Sequence, residues 1–125
     1  MFLIKEFYFD SAHNLIKYKG KCENLHGHTY KLVVVIEGIP NDEGMIMDFV
    51  ELKEIVKEHV LKYLDHAYLN DIIEQPTAEN IAIWIWNRLY DLLKRDNCQL
   101  FEIQVWETRE SGVVYRGEKF ERRTE

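Results

Sequence analysis

Two histidines separated by one residue, His26 and His28, stand just before the run Tyr30-Lys31-Leu32-Val33-Val34-Val35-Ile36. That run reads as a strand, and side chains two residues apart on a strand share a face. A sheet built on this segment must therefore carry two imidazoles side by side at one end. A third, His13, lies upstream in Ser11-Ala12-His13, so three of the five histidines fall within sixteen positions. Three imidazoles are the ligand set of a catalytic zinc site, which leaves the fourth position to water or substrate. A structural site would need four ligands and usually two or more cysteines. Only Cys22 is close, and ligation by it would close the site. The alternative is a half-buried pair bonded to neighbouring loops, and the third histidine weighs against it. With the thiol of Cys22 and the carboxylate of Glu23 adjacent, the set points to an enzyme.

The 125 residues predict one domain spanning 1–125. The formal net charge is -6, which argues against nucleic acid or an anionic membrane as the main partner. A local cluster of Lys and Arg can still hold a small anion. No apolar run is long enough to cross a bilayer and no signal segment is visible, so the expected compartment is the cytoplasm. Cys22 and Cys98 are the only cysteines. A disulfide framework needs more, and both are expected to be reduced thiols.

The pattern along the chain is strand, strand, helix, helix, strand, strand. Phe2 to Phe9 and Thr29 to Gly38 are strands, with 10 to 27 irregular between them. Pro40-Asn41-Asp42-Glu43-Gly44 is a turn, and Met45 to Asp48 a short extension of the sheet. Phe49, Leu52, Val56, Val60 and Tyr63 mark a helix from Phe49 to Leu64, capped by Asp48. Asp65 to Gln75 is a loop. Pro76-Thr77 opens a second helix with Thr77 as N-cap. Its apolar positions are Ile81, Trp84, Ile85, Leu89, Leu92 and Leu93. Ile83 and Trp86 add to these, so burial on more than one side is expected. Gln99 to Thr108 and Val113 to Phe120 are the last strands. The expectation is an α+β fold: a four-stranded antiparallel sheet with two helices on one face. Four strands leave two bare edges, which pairing between subunits would cover.

Further chemistry lies in three places. Asp65-His66 sits in the loop between the helices, where the carboxylate can fix the imidazole tautomer if the two side chains meet. Glu107 ends a row in which Phe101, Ile103 and Val105 share its face by alternation. That places it at the solvated sheet margin; in a pocket it would suit a guanidine-like edge. Near a dication the Cys22 thiol would lose its proton readily and serve as base or nucleophile. Otherwise it is a small buried hydrophobe.

Taken together these residues resemble the 6-pyruvoyltetrahydropterin synthase and 6-carboxytetrahydropterin synthase family. The likeness runs nearly end to end: Phe9-Asp10-Ser11-Ala12-His13, Cys22-x-x-x-His26-Gly27-His28, Met47-Asp48-Phe49, Leu64-Asp65-His66-x-x-Leu69-Asn70, Pro76-Thr77-x-Glu79-Asn80, Glu107-Thr108 and Tyr115-x-Gly117-Glu118. The resemblance implies the T-fold, with units joined sheet to sheet as trimers stacked into hexamers. It implies 7,8-dihydroneopterin triphosphate as substrate and zinc on His13, His26 and His28. Cys22 would be the thiolate base. Asp65 and His66 would be an acid/base pair from a neighbouring subunit, and Glu107 would anchor the pterin ring with Thr77 beside it.

Glu23 complicates the outcome. Glu-x-x-His-Gly-His is overlaid here on Cys-x-x-x-His-Gly-His, and some members use that glutamate to form 6-hydroxymethyl-7,8-dihydropterin. Glu23 is equally readable as a solvated loop carboxylate. The cysteine spacing makes 6-carboxytetrahydropterin, the route to deazaguanine-modified nucleosides such as queuosine, the leading product. The 6-pyruvoyl product is next and the hydroxymethyl product third. A non-catalytic pterin- or metal-binding module is the remaining alternative, and Cys22 and His66 speak against it.

Overall fold

The computed structural model describes residues 1–16 and 24–120. Strand β1 (Phe2–His13) and strand β2 (His26–Gly38) form one antiparallel ladder running from Phe2↔Glu37 to His13↔His26. β1 alternates as a half-buried strand should: Leu3, Phe7, Phe9, Ser11 and His13 are buried, while Phe2, Ile4, Tyr8 and Asp10 are exposed. Both strands reach further than propensity alone predicts. β1 continues past Phe9 to His13, and β2 starts at His26 rather than Thr29, because each segment supplies the other's ladder.

A two-residue strand β3 (Ala67–Tyr68) runs parallel to the end of β1. Strand β4 (Cys98–Trp106) lies against the other side of β2, followed by β5 (Gly112–Tyr115). The sheet order is β3-β1-β2-β4-β5. Among the described residues the sheet thus has five strands rather than four and is mixed rather than wholly antiparallel. A strand of two residues has no periodicity to announce it. Met45 to Asp48 is irregular, with a bend at Ile46 and Met47 and no strand, and β5 stops at Tyr115.

β4 contains a bulge. Val35 pairs with Glu102 and Ile36 with Leu100, so Phe101 is an extra residue. The extra residue breaks the alternation. Ile103, Val105 and Glu107 keep the helix side, while Phe101 turns to the opposite face and meets Phe2 at a ring distance of 4.6 Å. On that face the Glu102 carboxylate accepts from Arg116 Nε at 2.9 Å.

Helix α1 begins as Phe49–Val56, widens to π geometry over Lys57–Leu61 and closes with the turn Lys62–Leu64. Asp48 caps it by accepting from Val50 N at 2.8 Å. Leu52, Val56, Val60 and Leu64 are all fully buried, whereas Phe49 and Tyr63 are exposed. A spacing of four drifts about 40° per step on a helix of 3.6 residues per turn. The wider π turns oppose that drift and hold the row against the sheet. The carbonyl of His59, within the π stretch, accepts from Arg88 Nε at 3.0 Å.

Helix α2 (Ala78–Leu89) is capped by Thr77, whose hydroxyl accepts from Asn80 N at 3.1 Å. Ile81, Ala82, Ile85 and Leu89 face the core. Ile83 is solvent-exposed and the helix ends before Leu92, so burial is one-sided. Trp84 and Trp86 pack at the core's edge, with Trp86 against Tyr90 and Tyr115. Cys98 is a buried free thiol, and burial raises its pKa.

Leu52→Ala should lower unfolding free energy by about 2–5 kcal/mol, the usual cost of emptying a core leucine site. Ile83→Ala on the exposed side of α2 should change it by about 0.5 kcal/mol or less. Urea unfolding midpoints of the two variants check this; equal shifts would contradict the one-sided burial.

Candidate metal centre and active site

The β1–β2 register puts His13 opposite His26 and Ser11 opposite His28. In a pleated pair, directly opposed residues share a face. His13, His26 and His28 therefore all project to the helix side, at the end of the sheet where β1 finishes and β2 begins. Glu107, one residue past the end of β4, completes the group. One ligand atom from each of the four lies within 4.8 Å of every other. Glu107 Oε1 is 3.2 Å from His13 Nε2 and 3.2 Å from His28 Nε2. Glu107 is thus not at a solvated margin. The bulge at Phe101 and the turn closed by Glu107 N donating to Ser111 O at 3.0 Å aim it into the cluster.

The tautomers are set from outside the cluster. His13 Nδ1 lies 2.8 Å from the Pro76 carbonyl and His26 Nδ1 lies 3.0 Å from the Asn24 carbonyl. A carbonyl only accepts, so each Nδ1 carries the proton and each Nε2 presents its lone pair inward. The two Nε2 atoms are 3.0 Å apart. Ligand nitrogens held tetrahedrally about 2.0–2.1 Å from a zinc ion are themselves about 3.3–3.4 Å apart. Three imidazoles, two of them with fixed outer protons, and one carboxylate therefore fit a divalent metal ion. Pro76 and Asn24 were silent in the sequence, because a backbone carbonyl leaves no residue-type signature.

Tyr30 lies on the same face two residues beyond His28. Its hydroxyl is 3.3 Å from His13 Nδ1. Burial, and secondarily the charge of Glu107, raises its pKa well above the ordinary phenol. It remains a neutral hydroxyl beneath the cluster.

Asp65 and His66 do meet. Asp65 Oδ1 is 3.0 Å from His66 Nδ1 and accepts from Asp10 N at 3.0 Å. His66 N donates to Asp10 O at 2.6 Å. His66 takes the left-handed region at φ 56°, which folds its ring back toward the preceding carboxylate. The Ser11 hydroxyl donates to the Leu64 carbonyl just before this pair. The dyad is thereby tied to β1 three residues from His13. Its ring lines an open groove of about 620 Å³ with Asp10, Ser11, Ala12, Gly27, His28 and Thr29, so the dyad and one histidine of the cluster border the same space.

Thr77 acts as helix cap, and its neighbour Pro76 holds His13. Cys22 and Glu23 lie outside the described residues. Among the described residues no helix is long and apolar enough to cross a membrane.

Comparison with known proteins agrees with this geometry. A family model for 6-pyruvoyl tetrahydropterin synthase matches residues 2–118. A Dictyostelium discoideum 6-pyruvoyl tetrahydrobiopterin synthase is 44% identical over 126 residues, covering 88% of this chain and 91% of the relative. A Pyrococcus furiosus dihydroneopterin monophosphate aldolase is 46% identical over 105 residues, covering 84% and 88%. A Haemophilus influenzae 6-carboxy-5,6,7,8-tetrahydropterin synthase is 40% identical over 139 residues, covering 90% and 96%. The solved 6-pyruvoyl tetrahydropterin synthase of Caenorhabditis elegans superposes with a TM-score of 0.81 at 27% identity, over 94% of this chain and 96% of that one. The chain, with its α+β T-fold, belongs to the 6-pyruvoyl tetrahydropterin synthase family of enzymes.

Proposed function

We propose that this chain is a zinc-dependent pterin synthase, one T-fold domain over residues 1–125, acting on 7,8-dihydroneopterin triphosphate. The observation that carries the reading is the convergence of His13, His26, His28 and Glu107 in a member of this family. The leading product is 6-carboxy-5,6,7,8-tetrahydropterin, on the Cys22-x-x-x-His26-Gly27-His28 spacing and the Haemophilus influenzae relative of that name. The 6-pyruvoyl product is the alternative within the same chemistry.

A bound zinc ion would supply Lewis-acid charge to side-chain oxygens of the substrate. The protein's own groups divide the rest. His13 and His26 are held in the ligating tautomer by Pro76 and Asn24. Cys22, as thiolate, removes a side-chain proton. His66, oriented by Asp65, exchanges a proton on the other side of the substrate. In this reading the dyad serves a neighbouring subunit. Glu107 accepts from the N–H and amino edge of the pterin, a bidentate pattern suited to a carboxylate. Thr77 stands beside the ring.

A second reading is favoured by Glu23 and by the relative named as an aldolase. A carboxylate base on a side-chain hydroxyl would drive cleavage to 6-hydroxymethyl-7,8-dihydropterin. Purified protein would then convert dihydroneopterin triphosphate to a mixture. Glu23→Ala should suppress the hydroxymethyl product and spare the carboxy product, and Cys22→Ala should do the reverse, with the dependent product falling about 10²- to 10⁴-fold. Chromatographic product ratios decide; an unchanged ratio in Glu23→Ala leaves only the cysteine chemistry.

The metal assignment predicts about one zinc per chain by elemental analysis. His26→Ala should lose zinc and turnover together. Glu107→Gln separates two roles for the carboxylate. As pterin anchor it should keep its zinc and show a raised KM; loss of zinc would make Glu107 a ligand instead.

Assembly into a homohexamer, a dimer of trimers, is expected from the same reading. Light scattering at micromolar concentration should give six chains, and a monomer or a stable dimer would contradict it.

A further inference from the structure

A second pocket, of about 460 Å³, opens on the helix-free face of the sheet and is lined by Tyr8, Thr29, Lys31, Trp106, Thr108 and Arg109. It adjoins the metal centre through the chain itself. Thr29 follows His28, and Thr108 and Arg109 follow Glu107. β2 begins to pair with β4 only at Lys31↔Trp106. From His26 to Tyr30 β2 is therefore flanked by β1 alone, beside the turn that holds Glu107. Thr29 also lines the groove that contains His28 and His66, so the two openings are contiguous there.

The chemistry of the lining is one-sided. In a chain of net charge -6 it offers two cations and no carboxylate. Thr108 Oγ1 already accepts from Ser111 N at 3.1 Å and from Glu110 N at 3.3 Å, which leaves its O–H to donate. The Tyr8 hydroxyl is a further donor. The Thr29 hydroxyl is committed to Asp10 Oδ1, and the indole N–H of Trp106 to Gln104 Oε1. What remains free to act is Lys31, Arg109, Tyr8 and Thr108, four donors around one space. Two carboxylates stand just outside the lining: Asp10, held by the Thr29 hydroxyl, and Glu6, whose carboxylate is 3.5 Å from Lys31 Nζ. An exposed pair at that distance is weak, and a multiply charged anion can take over the ammonium.

We infer that this pocket binds the phosphate chain of the pterin substrate through Lys31, Arg109, Tyr8 and Thr108, while the ring and the reacting carbons stay with Glu107 and the histidines. The inference rests on the pterin phosphate ester being the substrate. It adds the residues that distinguish phosphorylated from phosphate-free pterins. Lys31 and Arg109 are binding residues here, remote from the bonds that change.

The test compares three probes on the purified full-length protein by titration calorimetry: dihydroneopterin triphosphate, dihydroneopterin and inorganic tripolyphosphate. Lys31→Met and Arg109→Ala each remove a charge-assisted contact. Each should weaken dihydroneopterin triphosphate and tripolyphosphate roughly 10- to 100-fold, and leave dihydroneopterin within about twofold. Glu6→Gln, which removes the competing carboxylate, should tighten both phosphate probes. Equal weakening of dihydroneopterin and its triphosphate would overturn the assignment, as would unchanged affinity of both phosphate probes in both variants. If the wild type binds neither pterin, the proposed function fails. The tripolyphosphate arm then still decides the pocket, because its loss in Lys31→Met and Arg109→Ala upholds an anion site and its persistence removes one.

Discussion

The register of β1 against β2 is the constraint on which the rest of this structure depends. It pairs His13 with His26 and Ser11 with His28 at the end of a ladder that begins at Phe2↔Glu37. Because side chains alternate with period two, a slip of one residue would send one strand's histidines to the opposite face. The register is held far from the site. Leu3, Phe7 and Phe9 on β1, and Tyr30, Leu32, Val34 and Ile36 on β2, all bury on the helix side. A slip would turn the moving strand's row of core residues away from the helices, so the core that folds the sheet also sets the geometry of the cluster.

The two outer supports of the cluster come from distant parts of the chain. Pro76 reaches His13 because Thr77 starts α2 where it does, with the Thr77 hydroxyl fixing the first turn. Glu107 reaches His13 and His28 because β4 carries one extra residue at Phe101. Both act on orientation, by fixing the outer proton of His13 and by aiming a carboxylate. Tyr30 lies beneath as an un-ionised hydroxyl, so the cluster rests on a floor that brings no charge of its own.

The sequence was informative where one residue type serves one purpose. His-x-His before a β-branched run, Asp48 and Thr77 at helix starts, and Asp65-His66 as a pair all appear in the structure as read. It was uninformative where the cause is collective. The spacing through Phe49 and Tyr63 suggests one regular helix. The structure buries Leu52, Val56, Val60 and Leu64 by widening the helix between them, with Arg88 taking up a carbonyl in the widened stretch. Strict alternation along β4 sets Phe101 beside Glu107, and the bulge separates them. β3 is two residues long and exists because the end of β1 offers it free backbone groups. Such features come from pairing and packing across the fold, which no window of sequence contains.

One scaffold carrying differently named activities follows from the same register. His13 and His26 are partners in the ladder, so the connection between them leaves and re-enters the sheet at the cluster. Its two chemically distinct candidates, Cys22 and Glu23, precede His26 by four and three residues. At about 3.3–3.6 Å per residue, chain length alone confines both to a short radius around that ligand. The three histidines belong to the strands and the Pro76 carbonyl to a helix start, whereas Cys22 and Glu23 stand in the sequence between β1 and β2. Relatives at 40%, 44% and 46% identity carry three different activity names. Overall identity therefore does not rank the products, and in the proposed function that distinction falls to Cys22 and Glu23.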